Sequence, residues 1–268
     1  MSLFRGYIRF LCAPFLFVCV MSMPAYSQFS EEDDFELLES TEKPTSSDNV
    51  DASQVAKLII ERTNDFREKK ELEPVEPNQE LNKTAQYFAD YMARTDRYGH
   101  GADDQRPSER AKNHGYEYCI VSENIGYQYN STGFDTKPLG RKFVQGWKNS
   151  PEHRKNMLNS AVTETGVAVA KSEKTGHWYA VQMFGRPKSA AIEFRITNES
   201  ESDVSYSIGD RSYELPPRYI RTHTSCRPAP VKFDFPENEE EVDATVEPSS
   251  GDQYTIVRAD GELEVQSK

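Results

Sequence analysis

Two periods divide this chain. Between about residue 52 and residue 187 apolar positions recur mostly at helical spacing, and from Ala190 onward they alternate every second position. Val55, Leu58, Ile59 and Phe66 predict a first amphipathic helix, with Ser53 as its N-cap. Beyond Pro74 and Pro77, the series Leu81, Ala85, Phe88, Ala89 and Met92 predicts a second helix capped by Asn78. A short third helix runs from about Pro107 to Asn113, where Gly115 provides a left-handed end, and a fourth from about Lys137 to Trp147. Ser150-Pro151-Glu152 has the order of a helix start, a hydroxyl cap followed by a proline whose missing N–H costs nothing there. The helix carrying His153 therefore begins at Pro151.

Gly166 to Ala170 and Trp178 to Phe184 are strand signals separated by the turn-prone Lys174-Thr175-Gly176, which predicts a hairpin covered by the helices. In the alternating region Ile192, Phe194 and Ile196 are followed by Val204, Tyr206 and Ile208, then by Val231, Phe233 and Phe235. Gly209-Asp210 and Asp260-Gly261 suit tight hairpin turns. The fold class is α+β: a mixed domain over 52–187, then a small all-β domain, a sandwich or barrel, over 190–268.

The N-terminus sets the compartment. Arg5 and Arg9 precede an apolar run from Phe10 to Met21 and then Pro24-Ala25-Tyr26-Ser27, the order of an export signal over 1–27 removed on secretion. That run is shorter than the ~20 residues of a bilayer-spanning helix, so the mature chain is expected without a membrane anchor. The destination is extracellular, or periplasmic in a Gram-negative host. Residues 28–51 are acidic and poor in apolar groups and predict a flexible spacer. Losing Arg5 and Arg9 takes the net charge from −12 to −14, which disfavours nucleic acid and anionic lipid as partners.

Cys12 and Cys19 leave with the signal, so Cys119 and Cys226 remain. They are either a disulfide closing a loop of about 107 residues or two buried thiols. A bond would hold the β domain close to Glu123, four residues beyond Cys119.

Tyr98-Gly99-His100, Ser122-Glu123-Asn124-Ile125-Gly126, Trp147 through Arg154, Gly166-Val167-Ala168-Val169 and Trp178 through Gly185 occur in a set order, after Thr63-Asn64-Asp65-Phe66-Arg67 on the first helix. In that order and spacing, residues 52–187 resemble the CAP superfamily, which groups cysteine-rich secretory proteins, antigen five and plant pathogenesis-related proteins. The likeness is strongest to its bacterial secreted, SCP-like members. The resemblance implies an α-β-α sandwich with an open cleft. It also implies that His100 and His153 take the two histidine positions lining that cleft and Glu123 the first of two glutamate positions. At the second glutamate position the nearest equivalent here is Ser150.

Three readings of His100, Glu123 and His153 stand side by side: a hydrogen-bonded network fixing three segments, a weak divalent-metal site of the zinc type held by His100 and His153, and water-activating catalysis. Ser150 is explained by its place before Pro151 as a cap rather than as a nucleophile. Glu109, in the first turn of a short helix, is ordinary helix electrostatics, and His114 complements the other end of that helix. His177 lies before an aromatic strand, His223 lies outside the matched region, and Trp147, Trp178, Tyr179 and Phe184 fit a core. The expected function is a secreted, non-enzymatic binding protein for a small apolar ligand, a peptide, a divalent metal or a cell-envelope component. The competing expectation is a His/Glu-assisted hydrolase of the peptidase or esterase type. Gly-x-Ser-x-Gly and His-Glu-x-x-His are both absent from the sequence.

Overall fold

A computed structural model describes residues 36–39, 48–236 and 244–268, so the expected export signal and most of the acidic spacer lie outside the described residues. In chain order the elements are β1 (Glu36–Leu37), α1 (Ala52–Glu68), β2 (Glu76–Pro77), α2 (Gln79–Thr95), β3 (Arg97–Tyr98), α3 (Pro107–Asn113) and β4 (Tyr118–Gln128). They continue with α4 (Thr136–Asn149), α5 (Pro151–Met157), β5 (Glu164–Lys171), β6 (Trp178–Pro187), β7 (Ile192–Asn198), β8 (Val204–Ile208) and β9 (Arg211–Leu215). The last are β10 (Ile220–Ser225), β11 (Val231–Asp234), β12 (Thr245–Val246), β13 (Gln253–Ala259) and β14 (Glu262–Ser267).

A four-stranded sheet in the order β2-β5-β6-β4 is covered on both faces. Its side chains alternate between two cores. Val167, Val169, Ala180 and Phe184 pack with Val55 and Ile59 of α1 and Leu139, Phe143 and Trp147 of α4. Ala168, Tyr179, Val181 and Met183 pack with Leu81, Ala85, Phe88 and Met92 of α2. The result is an α-β-α sandwich, and strands buried on both faces read as near-continuous apolar runs. The Trp147 indole donates to the Ile125 carbonyl at 2.8 Å, which satisfies its polar atom inside that core.

Where α2 crosses β5 the backbones touch. A methyl group at Gly166 would sit 2.1 Å from the Leu81 carbonyl carbon, with no flexible side chain to give way. Gly166→Ala is expected to cost about 3 kcal/mol through overpacking. Chemical denaturation of the variant measures it.

Two caps differ from expectation. Asp51, not Ser53, closes α1: its carboxylate accepts the Gln54 N–H at 3.1 Å and the Ser53 hydroxyl at 2.7 Å, and a carboxylate is favoured at the positive end of a helix. Ser150 does hold the N-cap position of α5, but its hydroxyl makes no cap hydrogen bond. Asn78 caps α2, accepting from Leu81 N–H at 3.0 Å. Glu109 accepts the Arg106 N–H at 2.7 Å, which places its carboxylate in helix capping.

Within the expected acidic spacer, the described residues make specific contacts. Asp48 accepts the Phe134 N–H at 2.7 Å and pairs with the Lys171 ammonium at 2.6 Å, and β1 pairs antiparallel with β3. Specific partners at these points offset the ordering entropy that composition alone cannot.

Beyond β6 the chain forms two four-stranded sheets, β10-β7-β13-β14 and β12-β11-β8-β9. Phe194, Ile196, Tyr254 and Ile256 of the first meet Val204, Tyr206, Leu215 and Val231 of the second in one core, so the β region is a sandwich. Gly209 and the Asp260-Gly261 pair adopt positive φ in the β8–β9 and β13–β14 hairpins. His223 belongs to this region, where Nε2 lies 2.8 Å from the Tyr206 hydroxyl and the ring stacks on Phe194. Cys119 and Cys226 are joined in a disulfide with Cα atoms 5.3 Å apart. It ties β4 of the sandwiched sheet to the segment just after β10.

Candidate functional site

His100 sits in the loop between β3 and α3, Glu123 in the middle of β4, and His153 in the first turn of α5. The imidazole Nδ1 of His100 lies 2.8 Å from Glu123 Oε1. The His100 and His153 ring centroids are 6.4 Å apart, with planes inclined by 54°. These contacts link His100, Glu123 and His153, and the Ser150 hydroxyl makes no hydrogen bond to either imidazole.

The group that organises them is one that sequence reasoning passed over. Arg110, on α3, is fully buried and clamps the Glu123 carboxylate through Nη2, at 3.0 Å to Oε1 and 2.9 Å to Oε2. Nη2 also donates to the His100 carbonyl at 2.9 Å, while Nη1 donates to Asp103 at 2.6 Å and to the Gln105 carbonyl at 2.7 Å. The guanidinium carbon lies 3.5 Å from the Phe88 ring centroid, which adds a cation–π contact from α2. One side chain thus fixes both the backbone and, through Glu123, the ring of His100. A short helix with an arginine among polar neighbours gives no sequence signal of this; only tertiary pairing reveals it.

The Glu123 side chain is 1% exposed and that of His100 is 50% exposed. An ionised carboxylate in a guanidinium clamp is an acceptor only, so the His100 Nδ1 carries the proton it shares with Glu123. In the neutral ring this leaves Nε2 as a lone pair. Behind the site, the Asn124 side chain donates to the His153 carbonyl at 3.0 Å, and Asn156 donates to the Glu123 carbonyl at 3.1 Å and to Asn124 Oδ1 at 2.9 Å. Arg67 fixes the far end of α5 by donating to the carbonyls of Met157 and Asn159, each at 2.9 Å. Both imidazoles are therefore held through their backbones by buried side chains.

Burial holds His153 below the ordinary histidine value of 6.5, reinforced by the charge of His100 and opposed by Glu152. Burial likewise lowers His177 and His223. A base depressed in the folded state binds its proton more readily when unfolded, so stability is intact above pH 6.5 and is lost as pH falls through the folded value. His153 is expected to titrate below pH 6.5 in histidine-detected NMR and to move upward in His100→Ala without reaching 6.5, because burial is the larger cause.

Three hollows, of about 460, 630 and 380 Å³, lie away from the imidazole pair, at Asn64–Pro74, at Trp178 and between α1 and α4. The pair itself faces solvent. As a metal site it offers two nitrogen donors, and Glu123 has both oxygens committed. Among the described residues no group of three or more His, Cys, Asp and Glu side chains is arranged to hold a metal ion. That donor set fits a weak, exchangeable divalent ion completed by solvent and does not fit a closed structural zinc site.

Residues 60–184, which include the whole imidazole site, match the model of the cysteine-rich secretory protein family, CAP. These residues form a CAP domain. The chain is 30% identical over 143 residues to an uncharacterised protein, YkwD, of Bacillus subtilis, a match covering 53% of this chain and 51% of that protein. It thus spans about half the length of that relative. An extracellular SCP-domain protein from Bacillus anthracis is similar at 25% identity with a TM-score of 0.43, over 50% of this chain and 41% of that one. A cysteine-rich secretory protein from Staphylococcus aureus is similar at 24% identity with a TM-score of 0.38, over 50% of this chain and 38% of that one. No helix among the described residues is long and apolar enough to cross a membrane.

Proposed function

We propose that the CAP domain is an extracellular, non-enzymatic binding module whose contact groups are the imidazoles of His100 and His153. The observation that carries this reading is the double engagement of Glu123, buried and gripped by Arg110 on both oxygens while it receives His100 Nδ1. Such a carboxylate orients an imidazole; as a general base or metal ligand it would first have to leave its guanidinium partner. Two solvent-facing imidazoles, one kept neutral by burial, suit the polar end of a small ligand or a loosely held divalent ion. The Cys119–Cys226 disulfide supports an oxidising compartment, as does the export-type N-terminus.

Zinc is a convenient probe of the pair. Titration followed by histidine-detected NMR should move the His100 and His153 signals together, and His153→Ala should weaken binding by about tenfold or more. Zinc that leaves both rings unmoved would remove the metal form of the reading. Peptidase or esterase turnover that Glu123→Gln abolishes would replace the binding module with the hydrolase.

A further inference from the structure

Between α1 and α4 runs a groove of about 380 Å³ lined by Arg62, Arg141, Lys142 and Lys148, with Pro138 and Val144 as apolar lining. None of these residues belongs to the imidazole site. In a chain of net charge −12 this concentration of cations is unexpected, and α4 itself carries Lys137, Arg141, Lys142 and Lys148 with no carboxylate at all. None of the four lining cations is paired with a carboxylate among the described residues. The Nε of Arg62 is buried and has no hydrogen-bond partner. The Lys148 ammonium lies 4.4 Å from the Phe66 ring centroid. Burial lowers its pKa, and the neighbouring cations Lys69 and Arg62 lower it further, against Asp65.

Like charges gathered without directly paired carboxylates raise one another's energy, and a bound anion relieves that cost. The lining carries two guanidinium and two ammonium groups, the donor types that phosphate oxygens accept, arginine through paired N–H groups. We propose that the α1–α4 groove is a binding site for a compact anion carrying several phosphate groups.

Calorimetric titration of the full chain with inorganic tripolyphosphate at low ionic strength tests this, with citrate, orthophosphate and phosphatidylglycerol vesicles as parallel arms. Tripolyphosphate should bind most tightly, and binding should weaken as salt is added. Arg141 and Lys142 are exposed, so Arg141→Glu/Lys142→Glu should fold and lose at least about tenfold in affinity, and Arg141→Gln/Lys142→Gln should lose less. Lys112→Glu/Lys232→Glu, the same change in net charge at distant exposed sites, should change affinity less than about twofold. Absence of tripolyphosphate binding, equal binding of citrate, or an equal loss in the distant pair would each overturn the proposal. Binding to vesicles alone would overturn it in favour of a membrane surface.

Discussion

Arg110→Met should lower the unfolding free energy by about 3–5 kcal/mol, because it strands the buried carboxylates of Glu123 and Asp103 without their cation. The methionine keeps much of the contact with Phe88, so most of the loss is electrostatic. The double variant Arg110→Met/Glu123→Leu should recover part of it, since replacing both partners of a buried pair costs less than removing one. Urea denaturation of the three proteins checks this. A loss under about 1 kcal/mol in the single variant would mean that water reaches Glu123 and that the clamp is a surface pair.

Removing the disulfide is the second large change. Cys119 and Cys226 close a loop of 107 residues, for which the chain-entropy model gives up to ~4.7 kcal/mol. The loop contains most of the sandwiched sheet and the first strands of the β sandwich, so the Cys119→Ser/Cys226→Ser variant should melt at a markedly lower temperature. Because Cys119 opens β4, the strand that carries Glu123, the variant should also broaden the His100 NMR signals. Equal melting temperatures with and without reductant would show that the β region is held by packing alone.

The periodic elements were legible in the sequence because their burial is local and one-sided. α2 repeats apolar groups on one face, and β7, β8 and β11 alternate strictly. β4 was not legible as a strand, although its eleven residues pair with β6 along nearly their whole length. Its centre is Ser122-Glu123-Asn124, a polar run that reads as a loop. Glu123 and Asn124 are buried because Arg110, His153 and Asn156, distant in sequence, satisfy their polar atoms. The same cause hid Arg110. His100, Glu123 and His153 were picked out by a resemblance of ordered fragments, whereas the grip of Arg110 on Glu123 is visible only in the tertiary contacts.

Glu123 is a fixed acceptor for His100, and the tautomer of that ring reports it most directly. Long-range proton–nitrogen correlation spectra of the neutral imidazole should show His100 protonated at Nδ1 in the wild type and redistributed toward Nε2 in Glu123→Leu. A wild-type His100 protonated at Nε2, or a tautomer balance indifferent to the loss of Glu123, would contradict it.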